Sequence, residues 1–280
     1  NTRQGITSSD EIEALDLEVS ALVPYSKIQQ KRDTLKRTLT SSNGRSSYLL
    51  ANENATDTAV EAIRALRTNI YFSMLDAKNN VLMITGAAPE AGKSFISSNL
   101  ATVMAQSGKK VLLIDADMRK GYLEQLFSTH VAPGLSELLS GEASPVEAVQ
   151  QTDIENLFFI SHGNYTQSSS ELLMNKRLGD LIEQASKRYD YVIIDTPPVL
   201  AVTDAAIVGQ HVGMTLMVAR YGYTTVQDLD NAARRLVQSN INIKGVILNG
   251  IKRDAFNSYN CYSYGSYTAG SDKKAAKSKG

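Results

Sequence analysis

The feature that most constrains the fold is an apolar run that passes into a loop of small residues and then into helical periodicity. The segment begins at Val81 and reads VLMITGAAPEAGKSFISSNLATVMAQSG. In a strand–loop–helix of this kind, the loop N–H groups and the helix N-terminus form a cradle for phosphate groups. Lys93 then reaches the β- and γ-phosphate oxygens, and the Ser94 hydroxyl ligates Mg²⁺. The segment therefore predicts a phosphate-binding loop.

The loop departs from the common pattern at one position. A glycine usually stands five residues before Gly92, whereas this chain has Ala87 there and Gly86 one residue earlier. The alternative is a strand–turn–helix that contains Gly-Lys-Ser by chance. The agreement of strand, loop, lysine, hydroxyl and helix in one order favours a variant phosphate-binding loop.

Two further apolar runs end in carboxylates. KVLLIDADMRKGY places Asp115 and Asp117 at the end of one run, and YVIIDTPP places Asp195 at the end of another. Either run alone could be an ordinary strand that ends in an acidic turn. Because the carboxyl ends of parallel strands meet at one edge of a sheet, we expect all three side chains beside a bound nucleotide. The segment YVIIDTPP has the form of a Walker B motif, whose aspartate, here Asp195, holds the metal directly or through its water.

The remaining periodicity gives the fold class. From Asp57, apolar residues recur at helical spacing, which predicts a helix that ends near Ala77. Short β-rich runs then alternate with helical stretches; the runs are VLMIT, KVLLID, NLFFIS, YVIID, TLMVA and KGVILN. This alternation predicts an α/β protein with a mostly parallel sheet and helices on both faces.

Charge and composition exclude several classes. Lys+Arg 29 against Asp+Glu 29 gives zero net charge, so the chain lacks the positive field that non-specific nucleic-acid binding needs, and we expect no nucleic-acid partner. No apolar run approaches the roughly 18 to 20 residues of a membrane span. The single cysteine, Cys261, is compatible with a reducing compartment. A start at Asn1 without a signal-peptide pattern suggests an excised piece, soluble in itself.

The three motifs and a tyrosine-rich C-terminus together resemble the bacterial tyrosine kinases (BY-kinases), specifically the cytoplasmic kinase domain of a polysaccharide co-polymerase from the proteobacterial branch. The resemblance extends over nearly the whole chain, through AVEAIRALRTNIYFSMLDAKNN, SSSELLMNKRLGDLI, LAVTDAAIVGQHVG and NIKGVILNGI. It implies a P-loop NTPase-like fold of the deviant Walker type. It also implies a juxtamembrane segment and linker over 1–55, an ATP-binding kinase domain over 56–253, and a flexible tail over 254–280. Within the first of these, the alternation in EVSALVP predicts a short strand through Val19, Ala21 and Val23.

The resemblance also implies roles for individual residues. Asp117 would assist the incoming tyrosine hydroxyl, Asp115 and Asp195 would manage Mg²⁺, and Lys93 would hold the transferred phosphoryl group. A carboxylate with a pKa of about 4 is a poor base for a phenol with a pKa of about 10, so we expect the aspartate mainly to orient the hydroxyl. The residues expected to contact ATP are Ala91, Gly92, Lys93, Ser94, Phe95 and Asn249, with Ser94, Asp115 and Asp195 at the metal. Asn249 before Gly250 could equally be a turn residue.

The remaining predictions concern phosphorylated tyrosines and a helix that contacts another subunit. Tyr122 matches an internal phosphorylated tyrosine of the family; the alternative is a rim or core aromatic. The tail cluster matches the family's phosphorylation sites, although it could be a low-complexity segment: it comprises Tyr259, Tyr262, Tyr264 and Tyr267. Glu61, Arg64 and Arg67 match a motif that contacts the next subunit of a ring, or else form an exposed helix flank with an i,i+3 pair.

The functional hypothesis is an ATP-dependent protein-tyrosine autokinase that phosphorylates its tail in trans and regulates capsular or exopolysaccharide polymerisation and export at the bacterial inner membrane. Its expected partners are copies of itself in a ring, a cognate phosphatase and the polysaccharide machinery. One alternative is a partitioning-type ATPase switch, although such proteins carry an additional lysine where this loop has Ala87, Ala88 and Pro89. The other is a non-catalytic ATP-binding scaffold. The three histidines show no metal spacing: they are His130, His162 and His211.

Overall fold

A twisted, mostly parallel sheet forms the centre of the molecule. The computed structural model describes residues 4–29, 31 and 49–257. The strands in that part of the chain are β1 (Val19–Pro24), β2 (Val81–Gly86), β3 (Val111–Asp115), β4 (Gln150–Gln151), β5 (Leu157–Ile160), β6 (Tyr191–Asp195), β7 (Met214–Arg220) and β8 (Ile243–Ile251). They lie in the order β1-β8-β7-β2-β6-β3-β5-β4. The short β4 pairs antiparallel with β5, and the other neighbours pair in parallel. The predicted α/β class is confirmed.

Helices cover both faces of this sheet. They include α1 (Asp10–Glu13), α2 (Leu50–Glu53), α3 (Thr58–Met74), α4 (Lys93–Gln106), α5 (Glu124–Phe127), α6 (Leu135–Ser140), α7 (Pro145–Ala148), α8 (Ser169–Leu173), α9 (Lys176–Arg188), α10 (Asp204–Gly209) and α11 (Val226–Gln238). Parallel strands need such crossover connections, which place helices on the two faces and bury the strands on both sides.

The strand β3 shows how the two layers of the core form. Val111 and Leu113 pack with residues of α2, α3 and α4 on one face. Leu112 and Ile114 pack with residues of α6, α9 and α11 on the other face. Successive side chains of a strand point to opposite faces, so a strand buried on both sides is apolar throughout. This is why the apolar runs in the sequence do not alternate with polar residues.

The helix predicted from Asp57 is present as α3. The Asp57 side chain accepts a hydrogen bond from the Ala59 N–H at 2.8 Å, which satisfies one of the free donors at the helix start. The apolar stripe is buried against the sheet and α4: it comprises Val60, Ile63, Leu66 and Ile70.

Two elements before residue 56 belong to the same packed unit. The predicted short strand is β1, which pairs in parallel with β8 at the edge of the sheet. In α2, Leu50 and Ala51 are buried, and the Ala51 N–H donates to Asn99 Oδ1 of α4 at 2.8 Å. The residue-56 boundary expected between linker and kinase domain therefore falls after two elements that pack on the sheet and on α4.

The predicted tail lies largely outside the described residues. The structure describes the chain to residue 257, so all four tail tyrosines and Cys261 fall beyond it. Among the described helices, none combines the length and the apolar character that crossing a membrane requires.

Truncation of a central strand residue tests the core. Leu113 is fully buried in β3, whereas Leu75 is 66% exposed after α3. Leu113→Ala should lower the free energy of unfolding by about 2–5 kcal/mol, because it removes buried methyl groups and leaves a cavity. Leu75→Ala makes the same chemical change at the surface and should stay within about 0.5 kcal/mol of the starting protein. Urea denaturation measures both, and equal losses would contradict the position of Leu113.

Candidate active site

The carboxyl edge of the sheet collects the predicted site residues. The loop that follows β2 leads into α4, β3 ends at Asp115, and β6 ends at Asp195. Because β6 lies between β2 and β3, the two aspartates are direct partners in the sheet register. Asn249, near the end of β8, lies at the same edge. The strand order thus assembles residues that are up to 158 positions apart, as Ala91 and Asn249 show.

The phosphate-binding loop depends on backbone that only glycine adopts easily. Gly92 has φ 92° and stands immediately before the first residue of α4. The Asn249 side chain fills the space that a Cβ at Gly92 would occupy, and its Nδ2 donates to the Ala91 carbonyl at 3.2 Å. The structure therefore places Asn249 against the loop, while its predicted contact with the base of the nucleotide stays a prediction. Phe95, in the first turn of α4, is half-buried.

Lys93 and Ser94 extend from the first turn of α4 toward β6. Lys93 is 9% exposed, and its Cδ lies 3.3 Å from the point where a Cβ on Gly86 would be, so the missing side chain makes room for it. Burial lowers the pKa of Lys93, while the negative charges of Asp195 and Asp117 oppose that shift. The Ser94 hydroxyl donates to Asp195 Oδ2 at 2.8 Å.

The two buried aspartates have different surroundings. Asp115 accepts backbone N–H groups on both oxygens: Asp117 N at 3.1 Å on Oδ1, and Tyr122 N at 3.1 Å and Leu123 N at 3.2 Å on Oδ2. Asp195 accepts from Ser94 on Oδ2, whereas its Oδ1 is buried and has no hydrogen-bond partner within the described part of the chain. Asp195 therefore keeps one acceptor oxygen for a ligand.

The protonation of both aspartates is shifted by burial. Burial raises the pKa of Asp115 well above its ordinary value, and the adjacent Asp195 adds to that increase. Burial likewise raises the pKa of Asp195 to about 6, against the opposing attraction of Lys93 and the hydrogen bond from Ser94. The site thus holds two carboxyls that ionise reluctantly beside one buried cation, which is the charge pattern of a site prepared for a ligand.

Residues 115–123, here called the acidic turn, carry the third aspartate. Asp117 is half-buried, and its Oδ1 accepts from Lys120 N at 2.9 Å and Arg119 N at 3.3 Å. Tyr122 is 45% exposed, while its own N–H is held by Asp115. The structure thus brings Asp115, Asp117 and Tyr122 into one turn. The phosphorylation of Tyr122 stays a prediction.

The residues expected at a subunit interface lie on α3, away from the loop. Glu61 and Arg64 form an i,i+3 ion pair, and Arg64 Nη1 also donates to the Ala55 carbonyl at 2.7 Å. Arg67 Nη1 donates to the Val103 carbonyl at 3.1 Å, in the last turn of α4. Arg67 therefore satisfies one of the free carbonyls at the end of the helix that begins with Lys93.

Comparison with known proteins places the chain in a family. A family model described as an AAA domain matches residues 80–244. The tyrosine-protein kinase wzc of Salmonella typhimurium is 48% identical over 271 residues, which are 97% of this chain and 38% of that protein. The solved kinase domain of the Escherichia coli tyrosine kinase ETK is 44% identical with a TM-score of 0.82 over 89% of this chain and 96% of that domain. The chain belongs to the bacterial tyrosine kinases.

A second solved member supports the same assignment. The BceF tyrosine kinase domain is 46% identical with a TM-score of 0.82, over 89% of this chain and 100% of that domain. The chain spans 38% of the length of its Salmonella relative.

The residues of this kinase domain fit Mg²⁺ bound together with phosphates. Mg²⁺ keeps several waters and takes one or two protein ligands beside substrate phosphates. The Ser94 hydroxyl and the unpaired, buried Asp195 Oδ1 meet that requirement. Over the described ranges, no group of three or more His, Cys, Asp or Glu side chains could hold a metal ion by itself. The donor set therefore fits a nucleotide-bound ion rather than a metal caged by protein ligands.

Several residues around the site carry no sequence signal. Arg220, at the end of β7, donates to the Glu90 carbonyl of the phosphate-binding loop at 3.3 Å and lies over the Tyr223 ring at 5.3 Å. His162, which has no metal spacing, is fully buried behind the acidic turn and stacks with Tyr165. The contact of Arg220 with Glu90 and that of His162 with Gly121 join segments distant in sequence, so spacing could not indicate them.

The raised pKa of Asp195 predicts how this kinase domain responds to pH. A carboxyl whose folded pKa lies above its unfolded value stabilises the fold below about pH 4, and that contribution is lost as the pH rises through about 6. In the variant Asp195→Asn, the side chain cannot ionise. At pH 7, without nucleotide and with a chelator, its free energy of unfolding should therefore exceed that of the starting protein by about 1–3 kcal/mol.

Thermal unfolding between pH 5 and pH 7 measures this difference. The advantage of Asp195→Asn should shrink toward pH 5. Asp180→Asn, at an exposed position of α9, is the control and should show no pH-dependent gain. A lower melting temperature for Asp195→Asn at pH 7 would contradict the proposed cost of the buried charge.

Proposed function

We propose that this chain is the ATP-dependent catalytic domain of a protein-tyrosine autokinase that transfers the γ-phosphoryl group of ATP to its tail tyrosines in trans. The observation that carries this proposal is the convergence of Lys93, Asp195 and Asp117 at one edge of the sheet, where both carboxylates act on the charge of the buried lysine. A phosphate-binding loop, a metal-side carboxylate and an acceptor-side carboxylate are the parts that phosphoryl transfer needs.

In this proposal, the phosphate side of the site is formed by the loop and α4. The N–H groups of residues 91–95 cradle the phosphates, and Lys93 neutralises the γ-phosphoryl oxygens as their charge redistributes. A Mg²⁺ ion at this site would supply charge neutralisation for the phosphate oxygens during transfer. Ser94 and Asp195 would hold that ion. Asp115 would lie beside the ion without ligating it directly, since backbone N–H groups of the acidic turn already occupy both its oxygens.

Asp117 forms the acceptor side. The tyrosine oxygen forms a bond to the γ-phosphorus while the bond from that phosphorus to the bridging oxygen of ADP breaks. The phenolic proton passes to Asp117 and then to solvent. Because a carboxylate is a weak base for a phenol, Asp117 acts mainly by orienting the hydroxyl and accepts its proton late. Its half-buried position leaves it accessible to an incoming side chain.

We further propose the setting in which this domain works. The chain would be the cytoplasmic part of a bacterial inner-membrane protein that regulates capsular or exopolysaccharide polymerisation and export; in support, a 47% identical relative from Klebsiella pneumoniae is described as a tyrosine-protein kinase in the cps region. Copies of the domain would form a ring through Glu61, Arg64 and Arg67, and a cognate phosphatase would reverse the modification. Tyr122 would be a further phosphorylation site, and Asn249 would contact the base of ATP.

Replacing the buried lysine tests the kinase assignment. Lys93→Met should lower tail phosphorylation about a hundredfold or more, because it removes the cation that faces the phosphates. Lys109→Met, an exposed lysine beyond α4, is the matched control and should keep full activity. The measurement is incubation with Mg-ATP and mapping of phosphotyrosine by mass spectrometry.

The same assay separates the other two hypotheses. ATP hydrolysis without phosphotyrosine in the starting protein would favour an ATPase switch, and ATP binding with neither product would favour a scaffold. Full tail phosphorylation in Lys93→Met would overturn the role given to this lysine.

Trans phosphorylation predicts a dependence on subunit contact. The combined change Glu61→Ala and Arg64→Ala should weaken association and slow tail phosphorylation, because a tail is then seldom presented to a neighbouring site. The combined change Glu183→Ala and Lys187→Ala removes a more exposed surface ion pair on α9 and should alter neither. Light scattering and rates measured over a dilution series check this. A concentration-independent rate in a monomeric sample would indicate phosphorylation in cis and refute the ring.

A further inference from the structure

A buried polar pair lies behind the acidic turn and has no part in the proposed chemistry. His162, which follows β5, has no solvent exposure, and Glu124, the first residue of α5, is nearly as buried. His162 Nε2 lies 3.5 Å from Glu124 Oε2. Within the described ranges, both ring nitrogens of His162 and this oxygen of Glu124 have no hydrogen-bond partner. Burying polar atoms without hydrogen-bond partners costs free energy of folding, so such atoms are rare in folded proteins.

His162 and Asp115 both pack closely against the acidic turn at Gly121. A Cβ built on Gly121 would lie 2.6 Å from Asp115 Oδ2 and 2.6 Å from His162 Cδ2. The carboxylate and the imidazole therefore both lie where a side chain at position 121 would be, and only glycine fits there. A shift of the His162 ring must consequently move the turn or open a gap behind it.

Tyr165 closes the pair from outside and bonds to the turn. Its ring stacks on His162 with 4.6 Å between centroids and 16° between planes. Its hydroxyl donates to the Gly121 carbonyl at 3.0 Å, and the next residue, Thr166, donates its N–H to the Met118 carbonyl at 3.0 Å. The segment after β5 thus holds two carbonyls of the turn, although the Tyr165 ring itself is 62% exposed.

We infer that Tyr165, supported by the ring of His162, is a positioning residue for phosphoryl transfer: it fixes the acidic turn and so sets where Asp117 meets the acceptor. This inference rests on the proposed kinase function. The hydrogen bonds found on the Asp117 carboxylate come from Arg119 and Lys120 of the turn itself, so the turn determines its position. The proposed phosphate contacts lie on α4 and the loop before it. The Tyr165 hydroxyl bonds instead to Gly121 of the acidic turn.

The structure therefore predicts a separation of kinetic effects. Tyr165→Phe keeps the stacked ring and loses the hydrogen bond, so kcat should fall about threefold to tenfold. Tyr165→Ala also loses the ring that covers His162 and should lower kcat further. The KM for ATP should stay unchanged in both variants, because Lys93 and Ser94 are untouched.

The experiment separates enzyme from acceptor. The enzyme carries Phe replacements at its four tail tyrosines, and the acceptor is the Lys93→Met chain, whose tail phosphotyrosine is counted by mass spectrometry. Tyr165→Phe and Tyr165→Ala are introduced into the enzyme alone. Tyr191→Phe, at the far end of β6 from Asp195, is the control that loses a tyrosine hydroxyl away from the turn.

The outcomes are distinct. A graded loss of kcat with unchanged KM for ATP and an unchanged melting temperature supports the positioning role. Unchanged kcat in both Tyr165 variants, or a loss of kcat that only parallels a loss of thermal stability, overturns it while the kinase function stands. If the enzyme with Phe at its four tail tyrosines and with Tyr165 intact transfers no phosphoryl group, the proposed function is overturned and this inference with it.

Discussion

The pairing of β3 with β6 is the constraint on which the site depends, because it places Asp115 and Asp195 side by side inside the protein. Loss of hydration raises both pKa values, and the negative charge of Asp195 raises that of Asp115 further. Backbone N–H groups stabilise Asp115, and Ser94 and Lys93 stabilise Asp195. The apolar sheet and its helices supply the stability that this polar edge lacks.

The buried lysine and carboxyls at this edge of the sheet suit the binding of an anionic ligand together with a cation. A buried lysine and reluctant carboxyls are unfavourable in the free protein, but they need little reorganisation when phosphates and Mg²⁺ arrive. Glycine at positions 86, 92 and 121 allows the close approaches involved: Lys93 packs over the first, Asn249 over the second, and His162 with Asp115 over the third. Side chains at these positions would separate the groups that the site must hold together.

The helix α4 links the site to the part of α3 that is predicted to contact a neighbouring subunit. Its first turn presents Lys93 and Ser94, and its last turn accepts a hydrogen bond from Arg67 of α3. Arg67 thus has a role within the folded monomer, whereas Glu61 and Arg64 pair with each other at the surface. Replacing Arg67 would therefore disturb α4 as well as any contact between subunits, which is why Glu61 and Arg64 are the cleaner positions for testing assembly.

The sequence by itself determined the elements whose signals are local. The phosphate-binding loop, the strands that end at Asp115 and Asp195, and the helix α3 each follow from residue order and periodicity within one segment. Only the tertiary structure decided the contacts between segments: Asn249 on Ala91, Arg67 on Val103, β1 beside β8, and Tyr165 with His162 behind Gly121. Such contacts depend on strand order and on the packing of helices against the sheet. The spacing of residues along a single segment determines neither the strand order nor the packing of the helices.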